Sequence, residues 1–376
     1  MLKETNMFAC NTNNEYVLMN KDEKLIEFKL NSDDIFEVAV ETKVYRKPFW
    51  IKNLTEFLSA RKAPLHREHI SDLLKQCGCD TLKGYLDFTH ALSLNDTMWV
   101  KKPSEDLEWK NVSLYRNKFD ETIAKIAFSG GMYGEQFSSL TPELGTNGQF
   151  AKCWVREDNN IFLIKTGSKG ARNAGLEPYS EYYGSDILSC ICDSVVDYDL
   201  VYYRDKLATK CRLFTSEDYG FIPMMYMDYG RTLPTLHQYV KEIGFGKEFA
   251  DMIVGDTVIM NEDRHLGNFG VFINNNTFEI EGFVPLFDHN LSMLCYADEE
   301  DLKNPKEYMR TGNKGHKLGG GSFLDLGRKF LSSENKRKLR GLVDFEIDKH
   351  RKYNLEDWRL DILSKQVNNQ VKGLLG

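Results

Sequence analysis

The densest polar cluster of the chain, Asn261-Glu262-Asp263-Arg264-His265-Leu266-Gly267-Asn268, separates two segments of different apolar period. Before it, Leu236 to Ile243 and Lys247 to Met260 carry apolar residues at helical spacing. After it, Val271 to Phe287 reads as a hairpin around Asn274-Asn275-Asn276 and runs into Phe287-Asp288-His289-Asn290. Two helices therefore lead into the cluster and a hairpin leads out of it, with Asp288 expected at the end of its second strand.

The segment upstream is richer in hairpins. Gln149 to Val155 and Ile161 to Lys165 flank the turn Asp158-Asn159-Asn160 and predict an antiparallel pair. Ser180 to Val196 has helical spacing (Tyr183, Ile187, Leu188, Ile191, Val195), with Ser180 as opening residue and Glu181 in the first turn. Asp197 to Tyr203 and Lys210 to Phe214 predict two more strands, and a further one ends in Pro223-Met224-Met225-Tyr226-Met227. Nearer the start, Glu15 to Lys29 predicts two strands, Leu54 to Gln76 helices interrupted at Pro64, and Asp120 to Phe128 a helix broken by Ser129-Gly130-Gly131. Trp99 and Trp109, around Lys101-Lys102-Pro103-Ser104, read as core indoles. Beyond Asp288 the chain is expected to be loop-rich to Ser322 and helical after it. The reading is a mixed α+β chain in three parts: 1–130 an α/β accessory module, 131–228 a small antiparallel-sheet lobe, and 229–376 a mainly helical lobe.

Asp263 and Asn268 stand five residues apart, D-x-x-x-x-N, so that one loop offers a carboxylate to a nucleophile's proton and an amide oxygen to a metal. Oxygen ligands are what Mg²⁺ requires, and Asp288 supplies a second, charged one. Lys165 ends an apolar strand and precedes the helix carrying Glu181, the order in which a phosphate-binding lysine is positioned by a helix carboxylate. Each residue has an ordinary alternative: a solvated strand-end lysine, a helix N-terminal charge, a turn-capping aspartate, an asparagine in a left-handed turn. Their joint order favours phosphoryl transfer with ATP and Mg²⁺. Gly145-Thr146-Asn147-Gly148-Gln149 is the candidate phosphate loop, with Gly148 amides and Lys152 charge, although it is neither G-x-G-x-x-G nor a Walker motif; a plain hairpin approach is the alternative.

Composition narrows the partners. The 376 residues include 41% hydrophobic and 28% charged ones, as in globular proteins, and the longest apolar stretches fall far short of the ~20 residues of a membrane helix. The net charge of −7 disfavours direct nucleic-acid binding. The polar stretch Met1 to Asn14 lacks the features of a secretory signal, so a cytoplasmic location is expected. The eight cysteines include two C-x-C pairs, Cys77 with Cys79 and Cys190 with Cys192, neither with the C-x-x-C spacing of zinc or redox chemistry, and most of the eight are expected to be reduced core residues.

The catalytic segment Asn261 to Phe269, Pro285-Leu286-Phe287-Asp288, Phe162-Leu163-Ile164-Lys165 and Ser180-Glu181-Tyr182-Tyr183 resemble the HipA family of bacterial serine/threonine kinases. The resemblance covers roughly Ser139 to Phe330 and implies a two-lobed protein-kinase-like fold. It implies Asp263 as catalytic base, Asn268 and Asp288 as Mg²⁺ ligands, and Lys165 on the α- and β-phosphates. It further implies Met225 to Met227 as the hinge against adenine, with Asp228 near the ribose. A protein hydroxyl as acceptor and a place in a toxin–antitoxin module, beside a small DNA-binding antitoxin, are also implied. The loop serine that such kinases autophosphorylate is replaced by Gly145-Thr146-Asn147, with Thr146 or Ser139 as candidate substitutes. A small-molecule or lipid kinase and a non-catalytic kinase-fold binding module remain the alternative readings.

Overall fold

The computed structural model describes residues 14–32, 36–131, 137–170 and 173–376, so most of Met1 to Asn14 lies outside the described residues. Its strands form three antiparallel sheets. In the first, β1 (Glu15–Asn20), β2 (Glu23–Ser32), β3 (Glu37–Val44) and β4 (Met98–Lys101) lie in the order β3-β2-β1-β4. The tight β1–β2 turn holds Lys21 at φ 49°, as a left-handed turn position demands. Around this sheet pack α1 (Leu54–Ala60), α3 (Leu82–Thr89) and the short α4 (Trp109–Val112), while α2 (Ile70–Gln76) packs against α5 (Glu121–Ser129), which itself lies against the strand Lys152–Glu157 of the next sheet. Asn53, Thr81 and Asp120 cap α1, α3 and α5 by accepting amide hydrogens. Trp99 and Trp109 are both core residues, packed together with Val17 and Leu114.

The second sheet, in the order β5-β6-β8-β7, comprises β5 (Lys152–Glu157), β6 (Asn160–Thr166), β7 (Tyr198–Tyr203) and β8 (Lys206–Arg212). It is crossed by α6 (Glu177–Ser189). That helix starts earlier and stops earlier than its periodicity predicts. Pro178 fixes the first turn, so Ser180 and Glu181 lie inside the helix, both buried.

The third sheet, β11-β10-β9, joins the other two to the helices: β9 (Tyr219–Pro223), β10 (Gly270–Asn274) and β11 (Ile280–Phe283). The helical part consists of α7 (Leu233–Glu242), α8 (Gly246–Ile259), α9 (Glu299–Lys303), α10 (Pro305–Thr311), α11 (Phe323–Phe330), α12 (Ser333–Arg340) and α13 (Asp357–Leu375). The segment before Ser322, expected to be loop-rich, thus also contains two short helices. α8 is buried from Asp251 to Ile259 and packs against α6, α7, α11 and α13, as a helix apolar on all sides must. Its last residue but three, Asp256, is a carboxylate inside this core. Asp288 does not end a strand: β11 stops at Phe283, and Asp288 sits in the following loop at φ 59°. Among the described residues no helix is long and apolar enough to cross a membrane.

Candidate active site

Lys165 and Lys152 are directly paired across β5 and β6, and Thr209 of β8 faces Lys165 from the other side. Directly opposed residues project to the same face of a sheet, so both ammonium groups enter the same space. The Lys165 Nζ lies 2.6 Å from Glu181 Oε1 and 2.8 Å from Asp288 Oδ1. Thr209 Oγ1 donates to the other Glu181 oxygen at 3.0 Å. Burial opposes the charge of Lys165, but Asp288 and Glu181 outweigh it and raise its pKa. Burial likewise opposes ionisation of Asp288, yet Lys165 and Lys152 hold its carboxyl well below the usual range. Glu181, the most deeply buried of the three, is pushed up by burial, which Lys165 offsets only in part. Glu181 is therefore a support behind Lys165, with no exposed surface for a ligand.

Lys152 has no carboxylate within ion-pair distance among the described residues. Its Nζ donates to the Asn147 carbonyl at 2.8 Å, and burial together with Lys165 brings its pKa down to about 7. Gly148, at φ 100°, makes room for it: a Cβ there would stand 2.2 Å from Nζ. The loop expected to hold phosphates is thus folded over this lysine. Thr146 is occupied, its hydroxyl donating to the Pro142 carbonyl and accepting from Trp154 Nε1 at 2.8 Å.

The polar cluster leaves α8 through Met260 in a left-handed conformation, and Arg264 organises the loop from there to Asn268. This guanidinium is fully buried. Nε and Nη2 bind the two Asp256 oxygens at 2.9 and 3.0 Å, and Nη1 donates to the carbonyls of Asn268 (2.8 Å) and Phe287 (2.6 Å). One side chain thereby ties α8, the Asp263 loop and the residue preceding Asp288. Arg264 also faces His289 Nδ1 at 3.0 Å; burial and this cation bring the His289 pKa down to about 3, so the imidazole is neutral and Nδ1 accepts. Asn268 Nδ2 donates to the Asp263 carbonyl at 3.1 Å, which leaves Oδ1 as its ligating atom. Asn261 Oδ1 accepts the Asp263 amide at 3.1 Å. His265 is exposed and accepts the Gly267 amide on Nδ1.

An amide oxygen on Asn268 and the free carboxylate oxygen of Asp288 fit Mg²⁺, which is commonly held by one or two protein oxygens and completed by phosphates and water. Among the described residues no group of three or more His, Cys, Asp or Glu could hold a metal by itself.

The hinge residues are less simply arranged. The Met225 amide donates to Leu266 O at 3.1 Å and the Met227 amide to Met224 O at 3.1 Å, so neither is free for a base. The Met225 side chain is exposed and the Met227 side chain is buried. Asp228 is exposed and pairs with Lys52, which precedes α1, at 3.0 Å.

Sequence reasoning missed Arg264, Asp256 and Thr209 as members of the site. Asp256 carried a signal, since a carboxylate within Met252 to Ile259 needs a buried cation. Lys317 belongs to the basic tip Lys314, His316 and Lys317 of the segment that follows Asp288, where a substrate loop is expected; its contact with Asp263 is not readable there, and its Nζ lies 2.5 Å from Asp263 Oδ1, 54 residues further along the chain.

No family model matches the chain. It is 23% identical over 186 residues to the serine/threonine-protein kinase CtkA of Helicobacter pylori, a match covering 43% of this chain and 56% of that protein. The chain thus spans little more than half the length of that relative. The crystal structure of the same proinflammatory kinase aligns with 60% of this chain and 92% of its own, at 15% identity and a TM-score of 0.45. HipA of Shewanella oneidensis, in a complex with HipB and operator DNA, aligns over 95% of this chain and 96% of its own, with TM-score 0.55 and 10% identity. The chain thus shares the fold of this HipA over nearly its whole length and is similar in sequence, over 43% of its residues, to a serine/threonine-protein kinase.

Proposed function

We propose that the chain is an ATP-dependent serine/threonine protein kinase of HipA type. The observation that carries this reading is the clamp on Lys165, a buried ammonium held between Glu181 and Asp288 on the same scaffold that Arg264 uses to fix Asp263 and Asn268. A buried cation with a second lysine beside it is a site for a polyphosphate. On this reading Lys165 and Lys152 bind the nucleotide phosphates. Asn268 and Asp288 would hold Mg²⁺, which when bound neutralises charge on the phosphates. Asp263 accepts the proton of an acceptor hydroxyl while its oxygen forms a bond to the γ-phosphorus. The bond from phosphorus to the β,γ-bridging oxygen breaks, and ADP leaves with that electron pair.

The preference for a protein serine or threonine is supported by the likeness to CtkA. We also propose the division into an accessory module (1–130), a sheet lobe (131–228) and a helical lobe (229–376), a cytoplasmic location, and a toxin role with a small DNA-binding partner. The last is suggested by the HipB and operator DNA that accompany the Shewanella HipA.

Incubation with labelled ATP and Mg²⁺, with and without cell extract, tests the central reading. Label is expected on a protein acceptor, and Asp263→Asn is expected to lower incorporation by about two to four orders of magnitude, the range for a lost general base. Equal incorporation by wild type and variant rejects the assignment.

A further inference from the structure

Phosphoryl transfer places growing negative charge around the γ-phosphorus and rewards a cation there. The Asp263 loop has none of its own to give. Arg264 is fully buried, with its donors directed to Asp256, Asn268 O and Phe287 O. His265 uses Nδ1 to accept the Gly267 amide. Lys165 and Lys152 belong to the sheet on the opposite side, next to Asp288 and the Asn147 carbonyl. The ammonium that stands on Asp263 is that of Lys317, 2.5 Å from Oδ1.

Lys317 is presented by a fastened loop. Lys314 pairs with Glu262 at 2.7 Å on one side of it. His316 is buried, accepts the Leu318 amide on Nδ1 at 3.2 Å, and has its Nε2 3.5 Å from Asp256, the partner of Arg264. The amides of Gly319 and Gly320 return to the His316 carbonyl at 3.3 and 3.2 Å. A Cβ on Gly315 would stand 2.0 Å from Gly321 O, so the two ends of the loop touch. Lys317 itself is half exposed and projects from this anchor onto Asp263.

Resting on the kinase reading above, we propose that Lys317 is a catalytic residue, whose ammonium contacts the γ-phosphoryl group during transfer and supplies the charge that the Asp263 loop lacks. Lys317 holds only Oδ1 of Asp263, so the second carboxylate oxygen can accept the substrate hydroxyl. That hydroxyl attacks phosphorus at ~3 Å in a near-attack geometry, which puts the phosphoryl oxygens within reach of an ammonium already on the same carboxylate. The proton passes from the acceptor oxygen to Asp263, Lys317 remains protonated throughout, and ADP departs with the bridging electron pair.

The test uses the full chain with Lys317→Met and Lys317→Arg, at a position exposed enough to leave folding intact, as checked by thermal unfolding. MgADP binding is measured by calorimetry with and without aluminium fluoride, a planar phosphoryl mimic, beside turnover with MgATP. Wild type is expected to bind MgADP at least tenfold more tightly with the fluoride. Lys317→Met should bind MgADP alone within twofold of wild type, lose that tightening, and turn over about a hundredfold more slowly at unchanged KM for ATP, while Lys317→Arg recovers part of both. A Lys317→Met protein that keeps the tightening, or turns over as fast as or faster than wild type, overturns the proposal and leaves the kinase reading standing. A wild type that binds neither MgATP nor MgADP sinks both.

Discussion

Arg264 has the most demanding position of any residue in the site, because a guanidinium without solvent contact must find a partner for each of its donors. Asp256 supplies the charge. Burial opposes ionisation of that carboxyl, but Arg264 and His316 hold it well below the ordinary range. The pair is worth little against an apolar replacement of both members, whereas removing one leaves a buried charge uncompensated. Asp256→Asn is therefore expected to cost about 3 to 5 kcal/mol in chemical denaturation at pH 7. The sign of the pH dependence comes from the depressed pKa: the contribution is fully present above the unfolded value of about 3.9 and fades as pH falls toward the folded one. The difference between wild type and variant should stay level from pH 7 to about 4 and narrow below it. A difference that widens on acidification, or a variant as stable as wild type at pH 7, would contradict this account of the pair.

At the scale of elements, the β9–β10 ladder does the joining, because it connects the sheet lobe to the Asp263 loop. Gly270 faces Pro223 in that ladder, and a Cβ on it would lie 2.1 Å from the Ile222 carbonyl oxygen. Backbone cannot rotate aside as a side chain does. Gly270→Ala should separate the two strands and cost about 3 kcal/mol, read as a lower midpoint in denaturant; an unchanged midpoint would mean that the strands are not held this closely. Elements of this kind are largely legible in the sequence. The hairpins at Asp158-Asn159-Asn160 and Asn274-Asn275-Asn276 and the helices around Leu236 and Lys247 come from turn residues and apolar period. The start of α6 is not legible, because Ser180 followed by an acidic residue imitates a helix opening, while the true first turn is set by Pro178. Asp288 reads as a strand end because the apolar run Phe283 to Phe287 continues past the last ladder pair, Val271 with Phe283. The Lys165–Glu181 pair is legible as order along the chain, but Lys317 on Asp263 depends on how a distant loop folds, and no local pattern encodes it.

For the molecule as a whole, the first sheet and its helices, the proposed accessory segment, are part of the same packed body. The largest apolar core runs without interruption from Tyr16 of β1 to Leu374 of α13, and Trp50 packs edge-on against Phe278 of the β10–β11 turn. The accessory segment also grips the candidate phosphate loop. The Ala63 amide donates to Leu144 O at 2.7 Å and the Glu68 amide to Gln149 O at 2.9 Å. Arg67, buried between them, donates through Nη1 to the carbonyls of Glu143 (2.7 Å) and Thr146 (2.8 Å). Four hydrogen bonds from outside the sheet lobe thus fix the loop whose Asn147 carbonyl receives Lys152. Arg67→Lys keeps the charge but replaces a rigid fork by a shorter, point-like donor, so it should loosen the loop without removing any group from the phosphoryl-transfer site. The expected result is a rise in KM for ATP of roughly three- to tenfold, the equivalent of one charged hydrogen bond partly lost, with turnover at saturating ATP within about twofold of wild type. Steady-state kinetics at varied ATP distinguishes this from general damage, which would lower turnover as well. An unchanged KM would mean that the accessory segment only fills space beside the loop.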